Sequence, residues 1–153
     1  MKRFLCLFAA CNCLAVQAAA EFREGPKLRN VKLTVCLRGS SEITFSADRV
    51  TDLPVDLVFT KAEDGAQSFK AIEIVYTLLD KYGEELSDEA LGLREEKVGD
   101  TIKKEIELTA HTTHYYPDLF VWPKYLADGQ EYYLVVRVRN RTALVRFVAK
   151  KAK

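Results

Sequence analysis

The sequence predicts an all-β fold, a single antiparallel β-sandwich of about seven strands. Three observations lead there. Apolar and polar residues alternate with period two along most of the chain after residue 30, the pattern of strands buried on one face. Short turn-forming clusters separate the alternating runs. Strand-then-helix alternation is missing, which excludes a doubly wound sheet and the nucleotide site at its switch point.

The first twenty residues stand apart. Lys2 and Arg3 precede a short apolar run, Phe4 to Ala10, and Ala18-Ala19-Ala20 supplies small residues. This is the layout of a secretory signal peptide, and the run is far shorter than the ~20 residues that span a bilayer. The expected domains are a signal peptide, 1–20, and one β-sandwich domain, 21–153. The expected location is periplasmic or secreted, with no transmembrane segment. In the alternative, "FAAC" at Phe8 to Cys11 resembles the bacterial lipobox, although Phe8 stands where that motif prefers Leu. The chain would then be lipid-anchored through Cys11. Cleavage after Ala20 removes Cys6, Cys11 and Cys13 and leaves Cys36 alone. A single cysteine makes no internal disulfide, so packing must hold the fold. The processed chain has 21 basic and 22 acidic residues. That balance gives no reason to expect a nucleic-acid partner.

In "VKLTVCLR", Val31, Leu33, Val35 and Leu37 share one face, with Cys36 on the other. "EITFSAD" alternates from Ile43 through Phe45 to Ala47. "LPVDLVFT" aligns Leu53, Val55, Leu57 and Phe59, with Pro54 near a strand start or an edge. "KAIEIVYTLLD" aligns Ile72, Ile74, Tyr76 and Leu78. Residues 84–100 are ambiguous: a short helix capped by Ser87, a charged crossing loop or an edge strand. "TIKKEIELTA" places Ile102, Ile106 and Leu108 together. "EYYLVVRVRN" and "TALVRFVAK" read as a closing hairpin, with Arg139-Asn140-Arg141-Thr142 as its turn.

The segment "LADGQEYYLVVRVRN" resembles the E–F corner and F strand of fibronectin type III and related immunoglobulin-like domains. The match falls on Leu126, Gly129 and Tyr132, followed by Leu134, Val136 and Val138, and covers 15 of 153 residues. It implies an immunoglobulin-like sandwich in which the Tyr132 hydroxyl bonds back to upstream backbone. It implies nothing about activity. The chain left by cleavage is longer than the ~100 residues usual for such a domain.

Residues 111–136 hold both histidines, the only tryptophan and five of the seven tyrosines. Two chemistries suit them, and a third candidate lies just beyond. Tyr115, Tyr116, Trp122 and Tyr125 can form an aromatic ligand platform on the connection between strands, since such rings join an apolar face to a polar tip. The plainer alternative has Phe120 and Trp122 plugging the end of the sandwich. His111, His114 and Asp118 are residue types that bind zinc, but their helical spacing in a strand-and-loop context makes that reading the weaker one. Tyr132 is structural, and Tyr133 faces the other way, partly exposed. A basic face is the further candidate: Arg137 and Arg139 by the period of two, joined by Arg146, with no acid after Glu131. Asn140-Arg141-Thr142 also matches an N-glycosylation acceptor.

No Gly-x-Ser-x-Gly elbow, P-loop or HExxH motif occurs. No cofactor is expected, and Cys36 has no base placed beside it by sequence. The sequence is therefore read as an exported, non-catalytic binding module. It would recognise a protein, a glycan or another component of the cell envelope or exterior through loop aromatics or a basic sheet face. The alternatives are an assembly subunit pairing by edge strands and a small metal-dependent enzyme using the two histidines.

Overall fold

The computed structural model describes Leu28 and residues 30–61, 67–94, 103–108 and 111–153. The expected signal peptide and Cys11 lie outside them. Among the described residues the protein is all-β, with eleven strands in three sheets. No helix there is long and apolar enough to cross a membrane.

The strands are β1 (Val31–Leu37), β2 (Glu42–Phe45), β3 (Thr51–Leu53), β4 (Val55–Lys61), β5 (Gln67–Leu79), β6 (Leu91–Leu93), β7 (Lys103–Leu108), β8 (Thr112–Tyr115), β9 (Leu119–Val121), β10 (Glu131–Val138) and β11 (Arg141–Lys151). One sheet runs β1-β4-β8, a second β2-β11-β10-β5-β7, and a third, of three-residue strands, β3-β9-β6. The β2–β11 pairing is parallel, with Ile43 opposite Ala149 and Phe45 opposite Lys151. The other pairings among the described residues are antiparallel.

The alternation holds where the strands are long. Val31, Leu33 and Val35 are buried and Cys36 is exposed; Val55, Leu57 and Phe59 are buried on β4. Residues from all three sheets join one apolar cluster: Leu33, Leu57 and Phe59 from the first, Phe45, Leu134, Val136 and Phe147 from the second, Leu53, Leu119 and Val121 from the third. Each fully buried side chain of this size contributes about 1.5–3 kcal/mol.

The expected single antiparallel sandwich of about seven strands becomes eleven strands in three sheets with one parallel pair, and three local expectations change as well. Leu53 and Val55 are both buried, but Pro54 divides them between different sheets. Its lack of an N–H interrupts pairing, while its carbonyl accepts from Arg38 N at 2.7 Å. Strand β2 stops at Phe45, leaving Ala47 exposed in the turn. The final hairpin turns on Arg139-Asn140 alone, because Arg141 pairs with Val138 and Thr142 with Arg137.

In the ambiguous segment, a single 3₁₀ turn spans Asp88–Ala90. Ser87 Oγ accepts from Glu89 N at 3.3 Å, and β6 follows directly. That region is thus a short capped turn followed by a strand, as far as Arg94.

Candidate functional site

The third sheet sends its inward residues into the core, and the exposed Trp122 follows directly on its middle strand, β9. Strands of three residues place two side chains inward and one outward. Leu53, Leu119 and Val121 point in and are buried; Asp52 and Phe120 point out. The registers set Phe120 opposite Asp52 on one side and opposite Gly92 on the other. The Phe120 ring lies so close over Gly92 that a β-carbon there would collide with Cζ, Cε1 and Cε2. Glycine at this position lets the ring lie flat across the sheet, the covering of a strand glycine by a cross-strand aromatic.

Trp122 follows β9 and packs edge-on against Phe120, centroids 5.7 Å apart and planes at 80°. It is 46% exposed. Its backbone is fixed: its N–H donates to Ala90 O at 3.0 Å, and Pro123 begins the 3₁₀ turn Pro123–Tyr125 immediately after it. Arg94 completes the face. Its Nη2 pairs with Asp52 at 2.6 Å, its Nη1 with Asp118 at 3.2 Å, and its guanidinium lies 5.4 Å from the Phe120 centroid. The Asp52 bond is the main cause holding the Arg94 guanidinium above its ordinary value, with Asp118 adding to it. Two exposed carboxylates and one guanidinium therefore form a cluster with net charge −1 beside the Phe120 ring.

The other members of the expected aromatic platform have different neighbours. Tyr115 is half-buried against the core. Tyr116, 51% exposed, stacks on His114 at 6.2 Å, with Arg38 4.8 Å from its ring centroid. Tyr125 sits in the 3₁₀ turn, with its hydroxyl 3.3 Å from Glu89 and Lys124 Nζ 4.9 Å from its ring. Residues 111–125 are also more than a connection: β8 and β9 lie within them. The plug at the end of the core is built from Leu119 and Val121, while Phe120 and Trp122 lie outside it.

The expected metal ligands are held elsewhere. His114 Nδ1 bonds Asp56 Oδ2 at 2.8 Å across β8 and β4, and Asp118 pairs with Arg94. His111 is exposed, and its carbonyl accepts from Lys61 N at 2.9 Å. Among the described residues no group of three or more His, Cys, Asp or Glu side chains is arranged to hold a metal ion.

The basic face is also reorganised. β10 ends at Val138, and Arg139 adopts φ 50° in the turn, so the period of two does not carry from Arg137 to Arg139. Both are half-buried, with Nη1 of Arg137 and Nε of Arg139 shielded from solvent. Arg146 is bound to Glu131 at 2.5 Å. That contact, followed by the Tyr133 hydroxyl, holds the Glu131 carboxyl below its ordinary value. Tyr133 is only 8% exposed, tighter than the alternation suggested, because its hydroxyl bonds Glu131 and it stands opposite the fully buried Leu79.

The residues Leu126, Gly129 and Tyr132 lie at one bend of the chain. The Tyr132 hydroxyl donates to Tyr125 O at 3.2 Å and accepts from Ala127 N at 2.9 Å, while its ring stacks on Phe147 at 5.6 Å. Gly129 takes φ 72°, a conformation costly for other residues, and Leu126 joins the core. The sequon residue Asn140 is engaged instead of free: its side chain accepts from Leu28 N at 2.9 Å and its Nδ2 lies 3.5 Å from Leu28 O.

No protein-family model matches the chain, and no curated protein matches it. What the site can do therefore rests on its geometry. Arg94, Asp52 and Gly92 escaped the sequence reading, because only the β3-β9-β6 pairing brings them to the aromatic pair. The dipeptide-spaced Phe120 and Trp122 were the one local signal.

Proposed function

We propose that this chain is an exported, non-catalytic binding module with an immunoglobulin-like sandwich at its centre, working through the outer face of the β3-β9-β6 sheet. One observation carries the reading: Trp122 is half-exposed at a strand end and packs edge-on to Phe120, whose ring in turn lies beside the Arg94 guanidinium. Pro123 ends the chain's extended run directly after Trp122, and the Trp122 N–H is bonded to Ala90 O at 3.0 Å. Rigid aromatics make favourable contacts because little side-chain freedom is lost on binding.

The immunoglobulin-like reading is supported by two features. β1 pairs with β4 in one sheet while β2 crosses to the second and runs parallel to the last strand, β11. The Tyr132 hydroxyl bonds Tyr125 and Ala127 as a tyrosine corner would. Export rests on the three-part layout of residues 1–20.

The test is a screen of the purified chain against immobilised glycans and peptides, in parallel with Trp122→Ala and Tyr116→Ala. The expected outcome is a ligand whose retention is lost in Trp122→Ala and kept in Tyr116→Ala. Retention of every ligand by Trp122→Ala would remove the site from the β3-β9-β6 face.

A further inference from the structure

We draw no further inference here: the strongest candidate, the side-chain cluster on the outer face of the β1-β4-β8 sheet where exposed Cys36 stands opposite Asp56 and Asp56 Oδ2 is bonded to His114 Nδ1 at 2.8 Å, carries nothing because nothing in the structure shows what ligand or partner a lone cysteine would take beside a carboxylate that His114 already holds.

Discussion

Removing the Tyr132 hydroxyl isolates the contribution of the corner from that of the core. In Tyr132→Phe the ring keeps its stack on Phe147, so no cavity opens. Two polar groups lose their partner: Ala127 N–H, now bonded at 2.9 Å, and Tyr125 C=O, at 3.2 Å. A hydrogen bond contributes about 1 kcal/mol net, and a shielded group left unsatisfied costs about 1–3 kcal/mol. Both bonds are only partly buried, so the lower half of the range applies, and the loss should be about 1.5–3 kcal/mol. For a domain of this length a loss of that size lowers Tm by roughly 5–12 °C. Urea unfolding followed by circular dichroism is the assay, with Tyr116→Phe as the control. Tyr116 is exposed, so its change should stay within about 0.5 kcal/mol. The urea midpoint should fall in Tyr132→Phe with an unchanged slope, since the surface exposed on unfolding is the same. A loss below about 0.5 kcal/mol, or one equal to the control, would refute a structural corner.

Gly92→Ala should force the Phe120 ring off the sheet at a cost of about 1 kcal/mol or less, since the colliding atoms are the far end of a partly exposed side chain; the near-ultraviolet signal of Trp122 should change with it, and an unchanged spectrum would mean the ring is not seated as described. Asn140→Ala should leave the Leu28 N–H without its acceptor while Arg141 Nη2 still donates to Leu28 O at 3.1 Å, costing about 1 kcal/mol by urea unfolding; an unchanged midpoint would count against the clamp. Glu131 has a lowered pKa, caused first by Arg146 and then by Tyr133. Its contribution is therefore complete above the ordinary value of 4.5 and is lost as pH falls through the lowered one. Glu131→Gln should be less stable than the parent at pH 7 by up to about 1 kcal/mol, with the difference closing at low pH. A difference that persists at pH 2 would refute the linkage.

The long strands were legible because their burial is one-sided. From Val31 to Val35 and from Val55 to Lys61, every second residue is buried, and period two identifies them without knowledge of the partner. The corner was legible because Leu126, Gly129 and Tyr132 act through local geometry within seven residues. The third sheet was not. A three-residue strand contains one and a half periods, too little for Leu119-Phe120-Val121 to declare itself. Leu53 was joined to the next strand because Pro54 preserves the alternation while changing the sheet. Arg139 was misplaced for the converse reason: alternation continues in the sequence after the strand has ended in a turn. Partnerships between distant residues, such as Asn140 with Leu28 or Arg94 with Asp52, leave no trace in spacing at all.

The same limits explain why the aromatic segment divides into architecture and surface. Between Leu119 and Tyr132 the chain must plug the open end of the core and then deliver Tyr132 to the corner. Leu119, Val121 and Leu126 do the plugging. Period two then leaves Phe120 outside, and the strand must end before the turn that leads to Leu126. Pro123 ends it, for proline cannot continue the ladder, and this leaves Trp122 beyond the last paired residue. Nothing in that architecture requires a large aromatic at either outward position. A small polar residue at 120 would make Gly92 unnecessary and leave Arg94 its two carboxylates. Phe120 instead serves as cover for Gly92 and as a neighbour for the Arg94 guanidinium, while Trp122 is left exposed past the strand end, the position that the ligand screen tests.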